Sequence, residues 1–590
     1  MAKTGQAFDF HLFKRLLRFT KPYKITFWFV GISAILVSGF SVLQPILLES
    51  IIDDSIIPQD YENLLFYITL MVAFLFAEVI FQFSFLYYSN WLGFNVVRDI
   101  RVKLFDKILN FKMKYFDKSS VGRLTTRAVN DIETIASVFS DGLFNISSDL
   151  LKMGVILGFM FYRSWELTLI VLAVFPLILY ATRLFQKAMK KAFEEVRNQV
   201  ANLNTFVQER ITGMKIVQLF TREETEEKNF TEINQKHKVA WIKTVWYNSI
   251  FFAVTEMTAS ITIGLIMWYG GLQVLAGGSA ITLGLIVAFI RLAQMFFRPL
   301  NQIADKFNTL QMGMVAANRV FEIVDTDASI EDHGNETLTD VKGHIVFDKV
   351  YFSYDDAEMV IKGISFEVQP NQTVAFVGAT GAGKSTIINL LSRFYDIKSG
   401  TITVDGKNIK NIALSDLRKS IGVVLQDVFL FADTIMNNIT LNNPEITEAQ
   451  VIDAAKEIGV HDFIMSLPDG YHYNVKERGS TLSSGQRQLI AFLRAYVSNP
   501  GILVLDEATS SVDSYSEHLI QKATEKITKG RTSIVIAHRL ATIKKADVII
   551  VMEAGEIVEM GSHKELLKIE NGHYRNLYEV QFMKEEVLDK

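Results

Sequence analysis

The segment Gly378-Ala-Thr-Gly-Ala-Gly383-Lys384-Ser385 has the spacing G-x4-G-K-[ST]. It follows a β-branched run that ends at Val377 and precedes an apolar helical pattern from Thr386 to Leu391. In that context the motif is a phosphate cradle, because its glycines let successive backbone N–H groups curl around phosphate oxygens at a helix N-terminus. The cradle takes in Gly378, Ala379, Thr380, Gly381, Ala382, Gly383, Lys384, Ser385 and Thr386. Lys384 brings positive charge to the β- and γ-phosphates of a nucleoside triphosphate, and Ser385 offers a hydroxyl to Mg2+. A second run, Ile502-Leu-Val-Leu-Asp506-Glu507, is an apolar strand ending in two carboxylates. Asp506 is placed to reach Mg2+ opposite Ser385, and Glu507 to polarise an attacking water. Paired acids at a strand end also serve as caps or solvated turns. Downstream of a phosphate loop, hydrolysis is the reading preferred here.

The elements that must hold these residues follow from the surrounding pattern. Gln372–Val377, Ile421–Leu425, Ile502–Leu505, Thr532–Ile536 and Val548–Met552 alternate with helical segments, which predicts an α/β domain with a largely parallel sheet. This domain is expected over 344–590. An acidic, turn-rich linker precedes it at 325–343. Before the linker the character changes. Six long apolar stretches, near 25–52, 63–88, 136–162, 165–185, 245–270 and 272–297, approach the about 20 apolar residues of a membrane-spanning helix. The third is the weakest, interrupted by Asp141, Asp149 and Lys152. A six-span membrane domain is therefore expected over 25–324.

Charge orients it. The first connection carries Asp53, Asp54, Asp60 and Glu62 without Lys or Arg, whereas 89–134 carries nine basic residues between Arg98 and Arg127. The segment 186–243 is similarly basic, from Lys187 to Lys243. The bias of Lys and Arg to the cytoplasmic side puts both long loops and both chain ends inside. The loop 188–238 has no Pro and one breaker, Gly213, so the membrane helices are expected to continue well beyond the bilayer. Residues 1–24 interleave Phe8, Phe10, Leu12, Phe13, Leu16, Leu17 and Phe19 with Lys and Arg and lack a small-residue cleavage site. They read as an amphipathic interfacial helix rather than a signal peptide.

Further short segments, in order, resemble the ATP-binding-cassette family. Leu482-Ser-Ser-Gly-Gln486 is similar to its signature, Gln426 in Val424-Leu-Gln-Asp to the glutamine that senses Mg2+, Ser510-Ser-Val-Asp513 to the loop linking two ATP sites, and His538 to the switch histidine. Tyr354, 24 residues ahead of Gly378, resembles the aromatic that stacks on adenine; alternation with Val350 and Phe352 would equally make it core. Tyr115–Asp131 and Glu209–Phe220 resemble the two inner-loop motifs of exporter-type half-transporters. The resemblance implies ATP and Mg2+ as ligands, with Glu507, His538 and Lys384 in catalysis and Ser385, Gln426 and Asp506 around the metal. It further implies that Ser483, Gly485 and Gln486 act on an ATP held by a second half-transporter, so the chain is expected to work as a dimer. Two departures stand out: Ser484 replaces the commoner glycine, and Leu489 the commoner Arg.

Composition bounds the alternatives. Sixty Lys and Arg against 64 Asp and Glu leave a net charge of −4, without the basic excess of a nucleic-acid binder. The absence of cysteine excludes a disulfide framework, a Cys-ligated zinc site and a thiol nucleophile. The leading expectation is ATP-driven export or flipping of amphipathic small molecules, drugs or lipids, at the cell membrane. Homodimer is preferred to heterodimer. The competing reading is a membrane-anchored ATPase with a regulatory role. Glu78 and Glu256 lie within spans and are candidate substrate contacts or helix-packing carboxyls.

Overall fold

The computed structural model describes residues 10–276, 281–355, 358–506, 514–537 and 540–579. Contacts divide the chain into two units, Met1–Leu109 with Val121–Asp327, and Asn110–Ser120 with Ala328–Lys590.

The helices ahead of the sheets are α1 Phe10–Arg18, α2 Lys24–Ile51, α3 Tyr61–Leu109, α4 Met113–Lys118, α5 Val121–Thr126, α6 Ile132–Ser137, α7 Phe144–Arg163, α8 Trp165–Thr212, α9 Met214–Leu219, α10 Glu223–Ala276 and α11 Leu283–Asp325. All but α4 belong to the first unit. Among the described residues, five helical runs are long and apolar enough to cross a membrane. They are Lys21–Ile56, Tyr61–Leu109, Val121–Arg163, Trp165–Thr212 and Glu223–Ala276. The sixth apolar stretch is displaced from the expected 272–297. α10 runs on to Ala276, and the apolar stretch resumes in α11, where Thr282 caps the first turn by accepting from the Leu285 N–H at 3.1 Å. Leu285, Phe289, Leu292 and Phe296 then form one buried stripe.

α8 and α10 have 48 and 54 residues, so they extend about 72 and 81 Å at 1.5 Å per residue, against about 30 Å of hydrocarbon. The two lie against one another: Phe185 stacks on Phe251 at 4.0 Å, Lys243 pairs with Glu195 at 2.9 Å, and Arg210 with Glu226 at 2.6 Å. The aromatic run on α3 divides by helical period. Phe74 and Phe81 pack on Phe40, Phe85 is buried, and Phe76 and Phe83 are exposed.

Polar residues inside this unit are mostly matched. Asp149 accepts from Lys306 at 2.5 Å, which accounts for one interruption in the third stretch. Glu78 accepts from Gln44 at 2.7 Å, while Glu256 is exposed on α10. Asp131, 5% exposed in a π-helical turn, pairs with Arg127 at 2.7 Å and with Arg319 of α11 at 3.0 Å. α1 lays Leu12 and Leu16 inward, and its Arg15 forks onto Asp325 at 2.5 and 2.6 Å.

The second unit holds two sheets. The strands are β1 Ile345–Phe352, β2 Ile361–Val368, β3 Thr373–Val377, β4 Ser399–Val404, β5 Lys407–Asn408, β6 Ile421–Val424, β7 Ile502–Asp506, β8 Thr532–Ile536, β9 Val548–Glu553 and β10 Glu556–Gly561. The order β10-β9-β3-β8-β7-β6 is parallel from β9 to β6, with β10 antiparallel at its edge. All five β7 residues are buried, as are all five of β8, so both strands read as continuous apolar runs. A four-stranded sheet, β2-β1-β4-β5, is antiparallel and was not anticipated. Its register shifts between Phe347 and Val350, where Asp348 and Lys349 are exposed in succession and blur the period-two signal. The expected linker is held here: Glu336 exchanges backbone hydrogen bonds with Asn411 and Ala413 at 3.0 and 2.9 Å.

Helices α12 Lys384–Leu391, α13 Leu414–Ser420, α14 Ile435–Thr440, α15 Glu448–Ile458, α16 His461–Met465 and α17 Ser484–Val497 complete the part that frames the site. Two apolar clusters fill the unit, one under the antiparallel sheet and one among α14, α15 and α17.

Candidate nucleotide site

β3 is central in the parallel sheet, so the loop after Val377 leaves from the carboxyl edge, where α/β folds bind ligands. Gly378, Gly381 and Gly383 have φ of 148°, 85° and 98°, which L side chains rarely adopt. A Cβ at Gly378 would also lie 2.2 Å from the Met552 carbonyl oxygen. The glycines of the motif are therefore required by the backbone, and they bring it to the N-terminus of α12. Lys384 opens that helix, is 7% exposed, and donates to the carbonyls of Gly378 and Ala379 at 2.7 and 2.9 Å. Burial pushes its ammonium below the ordinary lysine range, and the Asp506 carboxylate acts in the opposite direction.

β7 delivers Asp506 to the same edge. Ser385 Oγ donates to Asp506 Oδ2 at 3.2 Å, so the hydroxyl and carboxylate expected around a divalent cation stand together. Both are oxygen ligands, and the phosphates that such a loop gathers would, with water, supply the rest of a Mg2+ shell, so the donor set fits that ion. Gln426 lies two residues beyond Val424, whose strand pairs in parallel with β7, and is exposed at the same edge. Glu507, the loop 510–513 and His538 lie outside the described residues. The strand leading to His538 is described: the Ala537 N–H donates to the Phe376 carbonyl at 3.1 Å.

Tyr354 lies two residues past β1. It is half-buried, with its ring edge-on to Phe352 at 4.9 Å and to Tyr395 at 5.0 Å. Its hydroxyl lies 3.2 Å from Thr386 Oγ1, so the aromatic expected near the base borders the phosphate helix.

The signature segment is in a different part of the unit. Ser483 caps α17: its Oγ accepts from the Gln486 N–H at 3.2 Å, and Gln486 Oε1 accepts from the Ser483 N–H at 2.9 Å. Ser484 is the first residue of α17 and is not among the residues with positive φ, so this position makes no conformational demand for glycine. Leu489, 1% exposed, belongs to the apolar cluster of α14, α15 and α17. Arg494 on the same helix holds the Asn438 carbonyl at 2.8 Å, a cross-brace that the sequence reading missed because nothing in its spacing marks it.

Comparison with known proteins matches residues 27–300 to the ABC transporter transmembrane region and 361–510 to the ABC transporter domain. The chain is 35% identical to the ATP-dependent lipid A-core flippase of Syntrophus aciditrophicus (strain SB), over 98% of this chain and 95% of the relative. It is 36% identical to a Staphylococcus aureus (strain NCTC 8325 / PS 47) protein bearing the provisional name multidrug export ATP-binding/permease protein, over 97% of this chain and all of the relative. A bacterial Atm1-family ABC exporter solved with ATP bound superposes with TM-score 0.75 at 27% identity, over 95% of this chain and 98% of that one.

Proposed function

The chain belongs to the ABC transporter family, with transmembrane region and ATPase domain in one polypeptide, and from that premise we propose that it is an ATP-driven exporter or flippase of amphipathic molecules. One observation carries the reading. A glycine-built phosphate loop with Lys384, Ser385 and Asp506 converging on it shares a polypeptide with helices long enough to span a bilayer. ATP is the substrate of the second unit. Gly378 to Thr386 cradle its phosphates, Tyr354 takes the adenine face, and Lys384 holds the β- and γ-phosphates. Ser385, Asp506 and Gln426 would hold Mg2+, which when bound would neutralise phosphate charge. Glu507 accepts a proton from the attacking water, and His538 assists at the γ-phosphate.

The chain has one phosphate loop and one signature, so a complete ATP site takes the signature from a second copy, through Ser483, Gly485 and Gln486. ATP then favours closed cassettes, and hydrolysis removes the bridge. The homodimer sits in the cell membrane with the ATPase unit on the cytoplasmic side, a reading supported by the Lys and Arg bias of the inner loops. Lipids and amphipathic drugs are the substrate class; the names of the relatives support both.

The test is ATP hydrolysis by the purified chain in liposomes, with uptake of the amphipathic dye Hoechst 33342 into inside-out vesicles. Hydrolysis stimulated by the dye, with ATP-dependent uptake, is expected. Glu507→Gln should retain ATP binding and lose turnover by about 10²-fold or more. Unchanged turnover in Glu507→Gln would remove the mechanism. Hydrolysis without stimulation or uptake, across a panel of drugs and lipids, would favour a regulatory ATPase.

A further inference from the structure

Three acids inside the membrane-spanning helices are matched within the unit. Glu49 of α2 pairs with Arg163, Asp149 of α7 pairs with Lys306, and Glu78 of α3 accepts from Gln44 with Lys152 in electrostatic reach. Glu256 on α10 differs. It is exposed, and among the described residues it has neither a hydrogen bond nor an ion pair. Two tryptophans of the same helix set its depth. Trp246 and Trp268 are both exposed and stand about 33 Å apart along the axis, close to the separation of the two aromatic belts of a bilayer. Glu256 lies between them, about 15 Å from the first and about 18 Å from the second, near the mid-plane.

At about 100° per residue, α10 divides into three faces here. Phe251, Thr255, Thr258 and Thr262 are buried, on the side where Phe185 of α8 stacks. Ile250, Val254, Ile261 and Trp268 form an exposed face of large apolar side chains, suited to lipid. Ser249, Glu256 and Ser260 are exposed on the third face, within about 40° of one another. A carboxylate in hydrocarbon is costly, and this one is turned away from both its own bundle and the lipid-suited face. Phe252, also exposed, stands one turn before Glu256 and is its neighbour on the helix surface. A negative charge and an aromatic ring therefore lie side by side at a depth where little water screens them.

We propose that Glu256 is the counter-ion of the transported molecule and Phe252 the seat of its apolar body, which narrows the substrates to amphipathic cations. The inference rests on the export reading. Charge complementarity selects the occupant. A cation satisfies the carboxylate and gains from the ring face, a neutral amphiphile leaves the carboxylate unpaired, and an anion meets like charge. The competing occupant of this face is a second copy of the chain. A carboxyl packed there would govern assembly and leave the charge of the substrate undetermined.

The experiment uses the full chain in lipid nanodiscs with ATP and Mg2+. The probes are tetraphenylphosphonium and tetraphenylborate, which match in shape and oppose in charge. The concentration of each that half-maximally stimulates hydrolysis is measured, and the ratio of the two is compared between variants, so that differences in basal turnover cancel. The wild-type chain is expected to respond to the cation at a concentration about tenfold or more below that of the borate. Glu256→Gln should raise the cation's concentration about tenfold or more and abolish the preference, whereas Glu256→Asp, which keeps the charge, should retain it. Phe252→Leu keeps apolar bulk and loses the ring, so it should raise the cation's concentration about threefold or more. An unchanged ratio in Glu256→Gln overturns the proposal, because the carboxyl then belongs to packing. Stimulation of the wild-type chain by the borate or by uncharged amphiphiles as readily as by the cation overturns it too, and leaves export standing. Failure of every amphiphile to stimulate the wild-type chain removes the export reading, and this inference with it.

Discussion

Lys384 is mostly buried, and among the described residues it donates to two carbonyls of its own loop. A lysine so placed has already lost most of its hydration, so its charge is available to a phosphate at little further cost. Lys384→Ala should therefore weaken ATP binding itself, by tenfold or more, measured by displacement of a fluorescent nucleotide. Asp506→Asn differs: it keeps the shape and the contact with Ser385 but removes a negative charge. It should raise the Mg2+ concentration that supports half-maximal hydrolysis by at least several-fold, with smaller effect on metal-free ATP binding. The two variants separate phosphate contact from metal contact. This part of the site was legible in the sequence because glycine spacing and a terminal carboxylate are dictated by backbone geometry and ion chemistry. Tyr354 was only half legible. It lies just past β1, beyond a register shift, and its partner Tyr395 comes from a turn some forty residues on.

Among the elements, helices were the most visible, because a long apolar run has few alternatives. Their ends were less so: the last span moved because apolar residues continue through the end of α10. The antiparallel sheet was missed for a related reason, since its bulged register places polar residues where alternation should be apolar. Two elements carry predictions. The π-helical turn Arg127–Asp131 is fixed to α11 through Asp131, a nearly buried carboxylate between two arginines. Asp131→Ala would leave Arg127 and Arg319 without it, costing on the order of 3 kcal/mol, visible as a lowered thermal midpoint in detergent. Leu489→Ala would open a cavity in the cluster of α14, α15 and α17, costing about 2–5 kcal/mol by the same measurement. Ser483→Ala, by contrast, removes a cap worth about 1 kcal/mol. If Ser483 also touches ATP on the partner chain, hydrolysis should fall far more than that change in stability explains.

At the scale of the whole molecule, the sequence gives one set of catalytic parts and one signature, and the proposed dimer doubles them. Mixing wild-type and Glu507→Gln chains before reconstitution tests whether both sites must fire. If they must, activity falls with the square of the wild-type fraction; independent sites give a straight line. The quadratic curve is expected. The membrane unit adds a consequence of its own through α8 and α10. A rod about 80 Å long in a bilayer about 30 Å thick leaves an overhang of about 50 Å. Tilting such a rod by about 5° swings its far tip by about 4 Å, roughly the width of one side chain, while the embedded part moves little. The pair is a lever with a long arm in water and a short arm in lipid. A modest force applied over several ångströms at the tip becomes a larger force over a shorter travel in the membrane, which is what prying apart close-packed apolar helices requires.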